Sequence, residues 1–321
     1  MTNLAVGIDI GGTNTAIGIV DQKGHVYYQT SIPTQTREKI EDFVFDLYQE
    51  IENGKKELTI EFNIVGIGVG APNANYYTGT IENAPNLRWK GIIPFTSLFA
   101  KYYTIPVFIT NDANAAAIGE MVYGGAKFMK NFVVITLGTG LGSGIVVDGK
   151  LLYGHDGFAG ELGHIIVDAN GRNCNCGRKG CLETYVSATG VVRTVFELFA
   201  ISNEPSDLRE IPFSKMTSKK VAKAAQNNDP IALETIKRTA RMLGEAIADV
   251  TAIISPEAIF LFGGLTKSGH LLFDQVQYYK EKNMLSTFSN KTKLLPSELG
   301  ENAAILGSSG LVWSEIDQKK N

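Results

Sequence analysis

A strand, a glycine turn and a second strand follow one another twice in this chain of 321 residues. The first copy reads DIGGTNTAIGIV from Asp9, and the second reads LGTGLGSGIVV from Leu137. In each copy an apolar run leads into glycine and threonine and then resumes, which is typical of a β-hairpin. A chain that repeats such a unit, with helical segments and buried strands after it, is expected to form two related α/β lobes with a cleft between them.

The segments around these hairpins predict the remaining elements. From Glu38 to Leu58 apolar residues recur at three- and four-residue spacing, which predicts one face of an amphipathic helix. Further predicted elements are helices over 189–200, 218–226, 231–254 and about 303–316, and buried strands over 64–69, 105–110, 132–137 and 258–262. We predict a small lobe of residues 1–115 and 303–321 and a large lobe of residues 116–302.

Composition excludes several classes of protein. Lys and Arg number 30 against 33 Asp and Glu, a net charge of −3 that gives no basic footprint for nucleic acid. No run approaches the roughly 18 apolar residues of a membrane-spanning helix, and the N-terminus enters the first strand without a basic leader. We therefore expect a cytoplasmic protein with neither a nucleic-acid nor a membrane partner.

The glycine turns carry the groups that bind phosphate, namely backbone N–H groups and threonine hydroxyls. Both turns lead into a strand, whereas Rossmann and P-loop turns lead into a helix. A third turn, Gly263–Gly264, follows a buried strand. One such turn alone would be an ordinary hairpin, but three together fit a bound nucleotide. The predicted nucleotide-binding residues are Asp9, Gly11, Gly12, Thr13, Asn14, Thr139, Gly140, Gly263 and Gly264, with Asp9 holding the hydrated Mg²⁺ of MgATP.

The three cysteines lie within eight positions, at Cys174, Cys176 and Cys181. An odd count at this spacing argues against a disulfide framework and for a metal or redox cluster. With His164, ten residues upstream of Cys174, they supply the ligands of a closed tetrahedral Zn²⁺ site; free thiols and a redox dithiol are the alternatives. Because four protein ligands leave no open position, the predicted zinc is structural. Its expected purpose is to orient Glu161, His164 and Glu183.

Asn111 and Asp112 follow a buried strand and precede a helical run. One interpretation is that they cap this helix, since Asn and Asp are preferred N-cap residues. The other is catalytic, because the carboxyl end of a strand beside phosphate turns is where a kinase needs a base for the substrate hydroxyl. In that case Asp112 is the general base and Asn111 a sugar contact.

These motifs together resemble the ROK family of sugar kinases and sugar-responsive repressors, which has the two-lobed actin/hexokinase-like, or ribonuclease H-like, fold. The residues that carry the resemblance span nearly the whole chain: DIGGTNT, NDANAAAIGE, LGTGLGSGIV, GELGH, CNCGRKGCLE and LFGG. The resemblance implies that Asp112 is the general base and that the other sugar contacts are Asn111, Glu161, His164 and Glu183. It implies that the zinc ligands are His164, Cys174, Cys176 and Cys181, and that the protein is a homodimer.

The segment 70–91 looks like the loop that closes over the sugar in family glucokinases, with Asn73 and Asn86 as sugar contacts. Family N-acetylmannosamine kinases often place a basic residue where Asn73 aligns, and family fructokinases usually differ at Gly177. Both positions favour glucose, so the predicted reaction is ATP-dependent phosphorylation of glucose to glucose 6-phosphate.

The alternatives to a glucokinase are an N-acetylmannosamine or N-acetylglucosamine kinase, a fructokinase, and a non-catalytic sugar-responsive regulator. Repressors of this family carry a helix-turn-helix before the first strand, whereas only three residues precede that strand here. The sequence therefore favours a kinase over a regulator.

Overall fold

A computed structural model describes residues 1–318 of the chain. The elements up to residue 122 are β1 (Thr2–Ile10), β2 (Asn14–Asp21), β3 (Val26–Pro33), α1 (Ile40–Glu57), β4 (Phe62–Gly70), β5 (Ala74–Asn75), β6 (Thr80–Glu82), β7 (Ile92–Ile93), α2 (Phe95–Phe99), β8 (Val107–Thr110) and α3 (Asp112–Val122). Those that follow are β9 (Phe132–Leu137), β10 (Leu141–Val147), β11 (Lys150–Leu151), α4 (Glu183–Val186), α5 (Ala188–Ile201), α6 (Ser218–Gln226), α7 (Pro230–Ile254), β12 (Ala258–Phe262), α8 (His270–Asn283), β13 (Lys293–Pro296) and α9 (Ala303–Gln318).

The chain divides into two compact units. The first unit comprises Met1–Met129, Gly144–Gly160 and the chain from Ser297 onward, and the second comprises Lys130–Ser143 and Glu161–Pro296. Residues 319–321, which the predicted small lobe includes, lie outside the described residues. The division into a small and a large lobe, with boundaries near residues 115 and 303, remains a prediction.

The sheet of the first unit brings three strand ends together. Its strand order is β3-β2-β1-β4-β8, with β4 parallel to both β1 and β8. The register pairs Asp9 with Gly70, and Gly70 with Thr110. Since the carboxyl ends of parallel strands meet at one edge, Asp9 and the segments after Gly70 and Thr110 lie along the same edge of the sheet.

Helix α9 packs directly on this sheet because two strand positions have no side chain. A Cβ atom at Gly7 would overlap the carbonyl oxygen of Ile305, and one at Gly68 would overlap that of Ser308. The apolar residues Ile305, Leu311 and Val312 of the helix are buried. The C-terminal helix therefore completes the core of the first unit.

The second unit combines parallel strands with long helices. Strands β9, β12 and β13 belong to it, and β12 runs parallel to both β9 and β13. Helix α7 begins where Asp229 accepts a hydrogen bond from the Ala232 N–H at 2.9 Å, with Pro230 in its first turn. None of the helices in the described part of the chain is both long and apolar enough to cross a membrane.

Candidate active site

Two carboxylates lie near each other at the strand-end edge of the first unit. Asp9 is the penultimate residue of β1, and Asp112 is the first residue of α3. Burial, together with the negative charge of Asp112, raises the pKa of Asp9 from 3.8 to about 7. Burial also raises the pKa of Asp112, against the lowering effect of the backbone N–H groups of Ala113 and of Asp112 itself. The pair therefore suits either a proton acceptor or a cation site.

Asn111 and Asp112 do form the cap of helix α3. The Ala113 N–H donates to Oδ1 of Asn111 at 2.9 Å and to Oδ1 of Asp112 at 2.8 Å. Protein atoms crowd around Asp112, which raises its pKa, but the surface of the residue itself remains exposed to solvent. The capping interpretation and the catalytic one are thus compatible, since the cap fixes the backbone and leaves the carboxylate accessible.

The first glycine turn is closed by its own backbone and by a neighbouring glutamine. The Gly11 N–H donates to the Asn14 carbonyl at 3.0 Å. The Gln35 side-chain amide donates to the carbonyls of Gly12 and Asn86, at 3.0 Å for Asn86. This contact places Asn86 beside the turn. Sequence reasoning missed Gln35, because nothing in its spacing links it to either partner.

Asn73 shapes the loop after β4. It has a positive φ of 51°, a left-handed conformation that asparagine tolerates better than most residues. Its side-chain amide donates to the Glu82 carbonyl at 3.1 Å, and its own carbonyl accepts from the Glu82 N–H at 3.0 Å. The side-chain amide nitrogen is therefore used within the loop. Sugar contacts by Asn73 and Asn86 stay predictions.

The second glycine turn belongs to the second unit and is held by helix α5. The Ala188 N–H donates to the Gly138 carbonyl at 2.9 Å, and the Thr189 hydroxyl donates to the Thr139 carbonyl at 3.1 Å. The Leu141 N–H points at Oε2 of Glu183, 3.4 Å away. Glu183, predicted as a sugar contact, is thus in place beside the turn predicted to bind phosphate.

The third turn adjoins the second because their strands are paired. The register matches Phe262 of β12 with Thr136 of β9, so Gly263 follows at the same edge as Gly138. Gly263 has a φ of 110°, and a Cβ atom there would crowd the Leu137 carbonyl. A Cβ atom at Gly264 would meet no atom within 4 Å among the described residues. The edge is therefore open at Gly264, and nucleotide binding by Gly263 and Gly264 stays a prediction.

The four predicted metal ligands come together in the second unit. The ligand atoms of His164, Cys174, Cys176 and Cys181 all lie within 4.8 Å of one another. The sulfurs of Cys176 and Cys181 are 3.6 Å apart, and the Cys174 sulfur is 3.7 Å from Nδ1 of His164. A tetrahedral zinc ion with Zn–S bonds of about 2.3 Å and Zn–N bonds of about 2.0 Å separates its ligand atoms by roughly 3.6 to 3.8 Å. The donor set and its spacing therefore fit zinc.

The environment of the cluster favours the thiolate at Cys176, whereas burial raises the pKa values of Cys174 and Cys181. Burial opposes ionisation of Cys176, but hydrogen bonds from the backbone N–H and the guanidinium of Arg178 prevail and lower its pKa to about 6. The same guanidinium donates to the His164 carbonyl at 2.7 Å. Arg178 thus supports two of the four ligands, and thiolate is the form that binds metal.

His164 stands between the cluster and two carboxylates. Its Nδ1 lies 3.8 Å from Oε1 of Glu183, and its Nε2 lies 4.0 Å from Oε2 of Glu161. The Cys174 sulfur is 3.1 Å from the same Oε1 atom of Glu183. The structure therefore brings Glu161, His164 and Glu183 together, with one imidazole nitrogen facing the thiols and the other facing Glu161.

The mixed α/β architecture and its match to solved ROK sugar kinases define the two-lobed actin/hexokinase-like fold class, as predicted. The model of the ROK family matches residues 5–315. Over 315 residues the chain is 34% identical to the glucokinase of Halalkalibacterium halodurans, a match that spans 96% of this chain and 94% of that protein. The chain belongs to the ROK family.

Solved structures of the family include both kinases and regulators. A ROK family glucokinase from Streptomyces griseus in complex with glucose and AMPPNP is 30% identical and has a TM-score of 0.80, and the match covers 96% of this chain and 98% of that one. A ROK family transcriptional regulator, a homolog of E. coli MLC, is 28% identical with a TM-score of 0.87. The match covers 99% of this chain but 79% of the regulator.

Proposed function

We propose that this protein is an ATP-dependent hexose kinase whose substrate is glucose and whose product is glucose 6-phosphate. The observation that carries the proposal is the Asp112 carboxylate, which is solvent-accessible and lies at the same sheet edge as the first glycine turn. The full-length similarity to glucokinases supports the choice of sugar.

Asp112 serves as the general base. Its pKa is raised by burial, so the ionised carboxylate accepts a proton more readily than an ordinary aspartate does. As the sugar 6-hydroxyl attacks the γ-phosphorus of ATP, its proton passes to Asp112. The new bond joins O6 to phosphorus, the bond from phosphorus to the bridging oxygen breaks, and ADP leaves.

The glycine turns stabilise the phosphates. Backbone N–H groups at Gly12, Thr13, Thr139 and Gly140 are proposed to donate to them, and the two glycines carry no side chain of their own in the way. A Mg²⁺ ion, when bound with ATP, neutralises phosphate charge. Asp9 suits such a cation, because burial and the neighbouring Asp112 disfavour its ionised form until a positive charge is near.

The sugar hydroxyls are proposed to bind Asn111, Glu161, His164 and Glu183, with Asn73 and Asn86 from the loop after β4. We propose that the cysteine cluster holds one structural zinc ion, which fixes the positions of His164 and Glu183 relative to each other. Its thiols are free of disulfides. This state fits the reducing cytoplasm, where we place the protein. We also propose a homodimer.

The test is an ADP-release assay of the purified protein over glucose, N-acetylglucosamine, N-acetylmannosamine, mannose and fructose. We expect glucose to give the highest kcat/KM. A preference for another sugar would reassign the substrate within the family, and no turnover with any sugar would exclude the kinase.

The second candidate is a sugar-responsive regulator, favoured by the close structural match to a transcriptional regulator. Turnover separates the two candidates. A regulator is expected to bind sugar without releasing ADP, so calorimetry with glucose is run on the same preparation.

A further inference from the structure

Arg172 is a nearly buried cation in the loop that carries the cysteines. Its side chain is 8% exposed. Its guanidinium donates to Thr184 O at 2.6 Å, to Gly190 O at 3.1 Å and to the Thr194 hydroxyl at 2.7 Å. It also forms a two-pronged ion pair with Glu197 and stacks on the Tyr185 ring, 4.4 Å from the ring centre. One planar side chain thus joins five residues of helices α4 and α5.

Arg172 is also anchored to the metal loop through its backbone. Its N–H donates to the Tyr185 hydroxyl at 3.1 Å, and its carbonyl accepts from the Gly180 N–H at 2.8 Å. Gly180 immediately precedes the metal ligand Cys181. The residue therefore connects the metal loop on one side with helices α4 and α5 on the other.

The bond to Thr184 replaces one that helix α4 cannot make. This helix is a single turn, Glu183–Val186, and a turn of this length has little stability of its own. The N–H that would close the next bond, from Ala188 to the Thr184 carbonyl, donates instead to Gly138 of the glycine turn. The Arg172 guanidinium takes its place and satisfies the carbonyl.

Glu183 is the first residue of that helical turn. Its carboxylate lies 3.1 Å from the Cys174 sulfur through Oε1 and 3.4 Å from the Leu141 nitrogen through Oε2. Because Glu183 belongs to the helical turn and both of its carboxylate oxygens lie close to neighbouring groups, a change in the orientation of the turn would change these contacts. Movement of Thr184 by a few tenths of an ångström would shift Glu183 relative to any bound sugar.

We infer that Arg172 is a positioning residue for sugar binding, acting through Thr184 and Glu183. The inference rests on the proposed function, since it takes Glu183 as a sugar contact. It goes beyond that function in assigning a role to a residue outside both the metal ligands and the sugar contacts. The zinc ion is predicted to fix one side of Glu183, and Arg172 fixes the other.

The test compares Arg172→Lys with Arg209→Lys. Lysine keeps the charge but offers one ammonium in place of a planar guanidinium, so it cannot serve five acceptors. Arg209 is the matched control, because it also donates to backbone carbonyls, those of Ser202 and Glu204, and stacks on a ring, that of Phe199 at 4.7 Å. These partners of Arg209 all lie outside the metal loop.

For Arg172→Lys we expect the KM for glucose to rise about tenfold, which corresponds to about 1.4 kcal/mol. The KM for ATP and the zinc content per chain stay within twofold of wild type. Glu197→Gln, which weakens the ion pair at an exposed partner, raises the glucose KM two- to threefold and remains informative if Arg172→Lys fails to fold. Arg209→Lys leaves all three quantities unchanged.

A glucose KM within twofold of wild type for both Arg172→Lys and Glu197→Gln would overturn the inference. So would a loss of kcat with unchanged KM, which indicates a smaller active fraction, or an equal rise of KM in Arg209→Lys. If the wild-type protein turns over no sugar, the proposed kinase fails instead, and the comparison is repeated on glucose affinity by calorimetry. Equal affinities of wild type and Arg172→Lys would then also overturn the inference.

Discussion

At the scale of single residues, the chain keeps two carboxylates where their ionisation is unfavourable. Asp9 titrates near pH 7 because it is buried and because Asp112 is close. The unfolded chain releases this proton near the ordinary value of 3.8. Between the two pH values the folded state binds more protons, so its stability falls as pH rises. Such a penalty is typical of a site arranged for catalysis or cation binding.

Asp9→Asn should therefore stabilise the ligand-free protein at pH 8 but not at pH 4, since asparagine does not ionise. We expect a gain on the order of 3 kcal/mol in the free energy of unfolding at pH 8. Urea unfolding of both proteins at the two pH values measures it, with Asp21→Asn as the control. An equal difference in the free energy of unfolding at pH 4 and pH 8 would show that ionisation of Asp9 does not destabilise the folded protein.

Prediction of single residues from sequence is strongest where chemistry is tied to a motif. Asp9 and Asp112 stand out as candidates because each lies at the end of an apolar strand. Gln35 does not, since it joins Gly12 and Asn86, residues 23 and 51 positions away, only after the chain has folded. Sequence reasoning also misses Arg172, because a charged residue in a loop is ordinarily solvated.

At the scale of elements, hydrophobic spacing predicts the long helices well. The predicted segments 218–226 and 258–262 match α6 and β12 at both ends, and the segment 38–58 contains α1, Ile40–Glu57. Helix α8 is missed, because its only buried residues are Leu272, Val276 and Lys280. The third of these is a lysine that donates to the Thr292 carbonyl at 2.6 Å, which no apolar pattern reveals.

The metal loop provides the prediction at this scale. The purified protein should contain close to one zinc per chain, and removal by a chelator should raise the glucose KM at least tenfold while the ATP KM changes little. The reason is that zinc binding holds the loop that carries His164 and precedes Glu183. Elemental analysis and steady-state kinetics measure both, and re-addition of zinc is the control. A metal-free protein with unchanged glucose KM would remove zinc from the sugar site.

At the scale of the whole molecule, the repeated strand, turn and strand predicts two α/β lobes, and the resemblance of the combined motifs to the ROK family adds the actin/hexokinase-like fold class. In each unit the register of the parallel strands places the ends of neighbouring strands, and the predicted residues there, at one edge. The sequence could not supply the register itself or the contacts of α9, which depend on glycines at Gly7 and Gly68. The predicted dimer is a matter for light scattering, where twice the chain mass of 34.8 kDa is expected.

The most direct test of the proposed mechanism is the kcat of Asp112→Asn with glucose and MgATP, alongside glucose affinity by calorimetry. Asparagine retains the cap on Ala113 but accepts no proton, so we expect kcat to fall at least a hundredfold, roughly the contribution of a general base. Glucose affinity should stay within about threefold of wild type. Asp229→Asn, the same change at the cap of α7, should leave kcat unaltered. Full activity of Asp112→Asn would contradict the account.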